Sequence, residues 1–567
     1  MGRHVRGQAK HIRRIRRKQD GKLLQRMAAG AMAGIMTLGM AADAVPAAAA
    51  SIKEKAAEPS IEVMRYVFSG ENPVTEEELQ QVLAKYRKKP ATIKQLEAQA
   101  QEVQKFLRNK GHFVSMVYLP PQGFERGVVE MRIVPGEYDK ILVKNESYVS
   151  DEAVRREMGI QSGDLVNRRN LERGVWLTGD MQRIEAKTQL KAGRKPGTTD
   201  LIVKVKNKGP RMWGYTGFDN GGYRYTGRYQ YSTFVNYGSP FGNGDLLSLG
   251  GVISNHGTET WSGSVSYVTP VLHRGNKLGF SCGRSHYALS GEDMTKLQMT
   301  GRADTTSVWW QHNFKRSRVS NWYATVRYNW KELESKSGAF PDLNNPKKSQ
   351  DWSLQANGDN LDKFWTGGKN TWSLKYTHGN LTIKNFVPRQ LDGITAVGSA
   401  DGAHTAGHFG KFNAEITRLQ RINDRVALWL SYSRQWAEKN LDSSEKLSLG
   451  GPYGVRAYPI GEASGDDGWV WTSEIRWNLP NREGNPNTWQ LISFVDGGHV
   501  DAYHDGNSRM NDRGNGRSLY GAGIGVNWSH EDNWAARVHY AWKLGSEKAE
   551  SDTDCKGRLW FQLYKFL

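Results

Sequence analysis

"NWYATVRYNWK", residues 321–331, decides the fold class. Trp322, Ala324, Val326, Tyr328 and Trp330 fall on one face of an extended chain, and Tyr323, Thr325, Arg327, Asn329 and Lys331 fall on the other. One face suits lipid and the other a wet interior, as a membrane-spanning barrel strand requires. A β-sandwich also alternates, but its polar face looks out to solvent and its tryptophans would not recur near so many strand ends. "RVALWLSYSRQW", residues 425–436, repeats the theme with Val426, Leu428, Leu430 and Tyr432 together. Beyond the first fifty residues no run approaches about eighteen apolar residues, which excludes a helical membrane protein. It does not exclude a barrel, whose alternating strands give almost no signal to a hydropathy window. At roughly ten residues per strand, residues 209–567 accommodate about sixteen strands with the remainder in turns and loops.

The bulk properties agree. The chain has 567 residues, only 38% of them hydrophobic, and a formal charge of +20. That length allows two or three domains, and the composition argues against a large oily core. Ten of the first 26 residues are Lys or Arg, and a weakly apolar run, "MAAGAMAGIMTLGM", follows from Met27 to Met40. Ala42 and Ala44 then form a small-x-small cleavage site, so residues 1–44 read as a secretory signal with an extended basic head. A nucleic-acid-binding arm would explain the arginines but not the apolar run, and no nucleic-acid partner is expected. Removal of that segment lowers the formal charge to +12, because it carries ten positive and two negative residues. Two cysteines, Cys282 and Cys555, make no disulfide framework, and the sequence leaves their pairing open.

The character of the chain changes near residue 208, beyond which nineteen of the twenty tryptophans lie. Before it, a short linker (45–60) precedes two units of one topology, 61–136 and 137–208. In the first, "IEVMRYVFSG" reads as a β-rich run, Thr75 with Glu78 caps one helix, Thr92 with Gln95 opens a second that stops at Gly111, and "FVSMVYL" and "GVVEMRIV" follow as strands. From Tyr138 the order recurs, with "YDKILVKN", "SDEAVRREMG", a helix capped by Asn167, "RIEAKTQL" and "TDLIVKV". Repeated small sheets with free edges suggest a binding array that accepts an added strand. Through "NKGHFVSMVYLPPQGFERGVVEMRIVPG", Asn109–Gly136, these units resemble polypeptide-transport-associated (POTRA) domains.

Beyond residue 208, "DNGGYRYTGRYQYSTFVNYGSPFGNGDLLSL", "HNFKRSRVSNWYATVRYNW" and "LWLSYSRQWAEKNLDSSEKLSLGGPYGVRAYP" resemble successive blocks of the two-partner secretion transporters. These are the outer-membrane proteins of haemolysin secretion and activation type, and "WTSEIRWNLP" and "SFVDGGHV" extend the likeness over nearly the whole mature chain. The resemblance implies two periplasmic α+β POTRA domains and a transmembrane β-barrel of about sixteen antiparallel strands. It also implies export, without ATP, of one large partner protein that carries an N-terminal secretion domain. The implied surroundings are outer-membrane lipid around the barrel and the barrel assembly machinery that inserts it, with the chain acting as a monomer.

The same resemblance nominates residues. The family's Val-Arg-Gly-Tyr motif on an inward-folded loop, about 450–468, falls on Val455, Arg456 and Tyr458, with Ala457 in place of glycine. Gly-Asp-x-Gly falls on Gly465, Asp466 and Gly468, and Phe-x-Asp-x-Gly on the inner wall falls on Phe494, Asp496 and Gly498. A bond from Arg456 across the lumen to Asp496 is expected. The family's terminal phenylalanine, an assembly signal, arrives one place early, as Phe566 before Leu567, with Trp560 and Tyr564 on the same strand face. Only residues 45–60 separate the signal from the first POTRA unit, so no long plug helix is expected.

No zinc-ligand helix, phosphate-cradling loop or serine elbow is present, so no catalytic residue, cofactor or metal is expected and the chain is not read as an enzyme. Glu462, Asp466 and Asp467 lack the alternate spacing of a calcium loop. Insertion of other barrel proteins is the alternative function, since assembly factors share POTRA domains and the arginine loop. Passive solute diffusion would leave the POTRA units without a purpose.

Overall fold

The computed structural model describes residues 60–255, 257–394, 402–505 and 514–567. The signal segment 1–44, the linker as far as residue 59 and the plug-helix expectation that rests on it lie outside the described residues. The chain packs as two compact units: residues up to Leu107 with Met116–Val134, and Arg108–Ser115 with Pro135–Leu567.

In the first unit the expected caps form. Thr75 accepts from the Glu78 N–H at 3.4 Å and starts the helix Glu76–Leu83. Thr92 and Gln95 bond reciprocally, at 2.9 and 3.4 Å, where the helix Ile93–Asn109 begins. The apolar faces of both helices, Leu79, Leu83, Leu96 and Val103, bury Tyr66, Val129 and Met131 of a three-stranded sheet. Val128–Val134 is its central strand, parallel to Arg65–Gly70 and antiparallel to the edge strand Met116–Tyr118.

The second unit opens with the same motif. Glu137–Glu146 runs parallel and Ile184–Ala192 antiparallel to the central strand Thr198–Asn207. The helices Asp151–Met158 and Arg168–Gly179 are capped by Ser150 and Asn167, and the first stops on left-handed Gly159. This sheet is docked on one rim of a closed barrel of sixteen antiparallel strands, from Met212–Asp219 to Gly557–Phe566. Arg316 makes a two-pronged bond to Asp180 at 2.6 and 2.7 Å and lies over the Trp176 ring. Ser150 N–H donates to Gly242 O at 2.7 Å, and the buried Glu157 accepts the Gly275 N–H at 3.1 Å. Burial raises the Glu157 pKa above the ordinary carboxylate range, against the pull of that N–H and of Arg156.

Alternation is as the sequence predicts. Trp322, Val326, Tyr328 and Trp330 are 37–45% exposed on the lipid side, whereas Thr325 and Asn329 are 8% and 7% exposed on the lumen side. Cys282 and Cys555 are both free and exposed.

The barrel closes by pairing its last strand with its first over five residues, Gln562–Phe566 against Asp219–Tyr215. Trp560, Tyr564 and Phe566 do share one face of that strand, and it is the lumen face: Trp560 and Tyr564 are each 5% exposed. The lipid side of the strand carries Leu559 and Leu563 instead. Leu567 adds a single seam bond, from its N–H to Gly214 O at 3.0 Å. One such bond is a small part of the seam, so deleting Leu567 is expected to change the yield of heat-modifiable barrel by less than about fivefold on gels. A collapse in yield would mean that this residue is itself an assembly determinant.

Candidate functional site in the barrel lumen

Between the strands Val426–Ala437 and Asp467–Asn478 the chain turns into the lumen. Glycine makes that path possible where backbones touch: a Cβ on Gly454 would meet Leu449 O at 1.9 Å. The turn is closed by Val455 N–H donating to Leu449 O at 2.7 Å and by Gly451 N–H donating to Tyr458 O at 3.0 Å. Leu449, Val455, Ala457 and Tyr458, each 0–1% exposed, pack with Phe494, Val500 and Leu519 of the wall. A polar barrel interior therefore contains a small apolar core of its own.

That core sets Arg456 at its centre, 3% exposed. Its Nε and Nη2 donate to the two Asp496 oxygens, each at 2.8 Å, and its backbone N–H donates to Asp496 Oδ2 at 3.1 Å. Nη1 donates to Glu474 Oε1 at 2.8 Å. The guanidinium carbon lies 3.3 Å from the Phe494 ring centre. Arg476 Nε bonds the other Glu474 oxygen at 2.7 Å, and Thr472 bonds Asp496 at 2.9 Å, so two cations face two carboxylates. Trp560 Nε1 donates to Arg456 O at 2.7 Å and Gln562 bonds Tyr453 at 2.7 Å, which gives the aromatic face of the last strand a task in holding the loop.

The other nominated residues serve close approach. A Cβ on Gly498 would meet Leu449 Cδ2 at 2.8 Å, and one on Gly465 would meet Asp501 O at 2.2 Å. A Cβ on Gly468 would likewise meet His499 O, at 2.5 Å. Asp466 pairs with Lys446 at 3.0 Å and accepts the His504 N–H at 3.0 Å. Ala457 takes no left-handed backbone, and its methyl sits where a side chain on Gly521 would clash, so the missing loop glycine is matched by one on the wall.

Three parts of the site escape a reading of motifs. Glu474 and Arg476 complete the arginine's surroundings; their sequence signal was only that they alternate with Ile475 and Trp477 on an inward face. Glu462, fully buried, pairs with Arg517 at 2.6 Å and accepts the backbone N–H groups of Glu550 and Ser551. No group of three or more His, Cys, Asp or Glu suited to a metal occurs among the described residues. Finally, Asp442 and Glu445 at the shoulder of the loop are gripped by lysines from the strands Ser320–Ser337, Asn345–Asp362 and Gly407–Arg421. Lys347 pairs with Asp442, Lys331 and Lys411 pair with Glu445, and Lys331 also holds Asp351 at 3.0 Å.

Comparison with known proteins places this geometry. The family profile of the haemolysin secretion/activation proteins ShlB/FhaC/HecB matches residues 197–528, and the profile of the ShlB-type POTRA domain matches residues 61–136. The heme/hemopexin transporter protein HuxB of Haemophilus influenzae (strain 86-028NP) is 26% identical over 497 residues, 87% of this chain and 84% of its own. The outer membrane transporter CdiB of Dickeya dadantii (strain 3937) is 23% identical over 457 residues, 78% of this chain and 76% of its own. The solved structure of CdiB from Escherichia coli superposes with a TM-score of 0.74 at 18% identity, covering 97% of each chain.

The shoulder ion pairs are sensitive to pH. Burial by itself would raise the pKa of Asp442 and Glu445, but Lys347 outweighs it for the first and Lys411 with Lys331 for the second, so both lie below their ordinary values. Their stabilisation is therefore complete above the ordinary carboxylate pKa and is lost as pH falls through the lowered ones. Planar-bilayer recordings are expected to show a closed channel down to about pH 5 and openings below about pH 4, a step that Glu445→Gln combined with Asp442→Asn removes. Openings unchanged across that range would count against the shoulder as a latch.

Proposed function

This chain belongs to the haemolysin secretion/activation protein family ShlB/FhaC/HecB and is an outer-membrane transporter that secretes a partner protein, and we propose that its inward loop, latched by Arg456, is the gate through which that partner passes. The observation that carries this reading is the buried Arg456–Asp496 pair, which joins the loop tip to the wall at mid-lumen.

A charge pair at about 4 Å in an effective dielectric near 20 attracts by about 4 kcal/mol before desolvation is subtracted. Removing one partner leaves the other charge buried and unmatched, which costs about 3–5 kcal/mol. The latch thus holds the loop in one position, and a partner chain that displaces the loop must offer the freed groups water or its own polar atoms. Closure and opening need no nucleotide on this account; the entry and folding of the partner supply the direction.

Recognition is assigned to the POTRA sheets. Met116 and Tyr118 on the short edge strand of the first unit are 43% and 44% exposed, and exposed edges supply backbone groups to an extended client. The client's N-terminal secretion domain is the segment proposed to add there. The working form is a single chain in outer-membrane lipid, inserted by the barrel assembly machinery, with the lumen face of the last strand committed to the loop.

Two predictions follow from this reading. Arg456→Ala and Asp496→Ala are each expected to lower partner secretion at least about tenfold with normal membrane insertion, and the double variant is expected to be little worse than either. Arg456→Lys recovers little, because an ammonium cannot make the two-pronged bond. Additive losses in culture-supernatant blots would mean that the residues do not act as a pair. In the first POTRA unit, Met116→Asp with Tyr118→Asp is expected to reduce secretion while leaving barrel yield unchanged; undiminished secretion would remove this edge from the recognition surface.

A further inference from the structure

The outer face of the barrel changes in charge from one side to the other. Four neighbouring strands, Met212–Asp219, Gln230–Gly238, Leu246–Ser254 and Gly257–Pro270, contain no Lys or Arg at any position. The strands that follow, Asn276–Ala288, Met299–Arg316, Ser320–Ser337 and Asn345–Asp362, carry a band of them. Strand register sets Arg284 level with Asp304, Glu332 and Lys348, and two residues further along it sets His286 level with Arg302, Glu334 and Pro346. Lys384 joins the second row through its N–H bond to Pro346 O at 2.9 Å, and Lys336 lies two residues beyond Glu334. The band faces outward, because Phe280, Val308, Tyr328 and Trp352, a row of the same strand parity, are 45–46% exposed on the lipid side.

Height along the strands identifies the layer that this band meets. Asn276–Ala288 climbs from the turn whose Gly275 bonds Glu157 of the docked POTRA sheet, so Arg284 and His286 lie toward the end of the barrel away from the periplasm. On Ser320–Ser337 the outward apolar run from Trp322 to Trp330 rises by about 26 Å along the strand and about 20 Å in height once tilted, which is most of the apolar band of a membrane barrel. Glu332, Glu334 and Lys336 follow directly, at the level of the outer-leaflet headgroups. Trp330 marks the boundary, its ring 4.3 Å from the Lys348 ammonium. Within the band the cations Arg284, Arg302, Lys336, Lys348 and Lys384 outnumber the carboxylates Asp304, Glu332 and Glu334. Arg284 and Arg302 share Asp304, Arg302 and Lys336 share Glu334, and Lys384 is 3.9 Å from Glu332. The cations of those pairs remain 45–57% exposed, and exposed pairs of this kind contribute little in water, so the acids hold the cations in place without neutralising the band.

We propose that this band is a binding site for the phosphorylated glycolipid headgroups of the outer leaflet. It requires only that the barrel stand in the outer membrane, so it is independent of the gate reading above. The surplus of positive charge is compensated by phosphate: the forked guanidinium groups of Arg284 and Arg302 each suit two phosphate oxygens, and Lys348 and Lys336 add point charges beside them. From Arg284 to Lys348 the row crosses a span of about 14 Å at the usual interstrand spacing, wider than one phosphate, so it fits a headgroup phosphorylated at both ends. The acyl chains of the same lipid then lie along Phe280, Val308, Tyr328 and Trp352, below the charged rows. A phospholipid of the periplasmic leaflet meets the barrel at its other end and does not reach the band.

The test uses the full-length transporter reconstituted in phosphatidylethanolamine vesicles that contain diphosphoryl lipid A as the probe, then extracted in mild detergent, with the retained lipid counted by native mass spectrometry. The parent chain is expected to retain diphosphoryl lipid A about tenfold over the same lipid stripped of its phosphates. Arg284→Gln with Arg302→Gln and Lys348→Gln is expected to abolish that preference. The charge-matched variant Arg318→Gln with Lys363→Gln and Arg425→Gln, in turns at the POTRA rim, is expected to stay within about twofold of the parent, because that rim lies more than a screening length away. The comparison of the two lipids on the parent chain needs no variant, so it reads the site even if the first variant gives no heat-modifiable barrel. Equal retention of the two lipids, equal retention of phosphatidylglycerol in place of lipid A, or an equal loss in the rim variant overturns the site.

Discussion

A guanidinium cannot be buried in a membrane barrel unless its charge is matched where it lies, and the arrangement around Arg456 is built on that constraint. Asp496 takes two of its side-chain bonds and a backbone bond, Glu474 takes a third side-chain bond, and Arg476 balances the extra carboxylate. Because the matching groups stand on the wall strands Asp467–Asn478 and Asn487–Asp501, the loop tip has one place where its charge is compensated. The glycines, the small apolar core and the Trp560 bond to the Arg456 carbonyl hold it at that place.

The loop is secured by more than its tip. Glu462 ties its outgoing limb to Arg517 and to the backbone near Ser551, and Asp442 and Glu445 tie its incoming limb to three lysines on wall strands that precede it in the barrel. The tip pair is bidentate and almost without water, whereas the lysine contacts are formed by flexible ammonium groups that exchange partners more readily. In the proposed gate, that difference would have the shoulder yield first and the arginine last.

Departures from the family pattern are absorbed locally. Ala457 stands where the motif has glycine, and Gly521 opposite it leaves room for the methyl. The aromatic residues of the last strand, nominated as an assembly signal, face inward and Trp560 bonds the loop, because a strand of period two puts Trp560, Tyr564 and Phe566 on the lumen side once Leu559 and Leu563 face lipid. Which side an alternating set takes is a property of the closed barrel, not of the set.

The sequence by itself determined the lipid-facing alternation of residues 322–330 and the helix caps at Thr75, Thr92 and Asn167, and its resemblance to the family pointed to the pairing of Arg456 with Asp496. All of these rest on short-range periodicity, on neighbours three residues apart, or on a motif whose spacing is retained. Glu474 and the Lys331, Lys347 and Lys411 shoulder were decided only by the tertiary structure. Each joins residues from separate strands, and which residues stand level with one another depends on the stagger between neighbouring strands accumulated around the closed barrel, a quantity that no single strand's pattern contains.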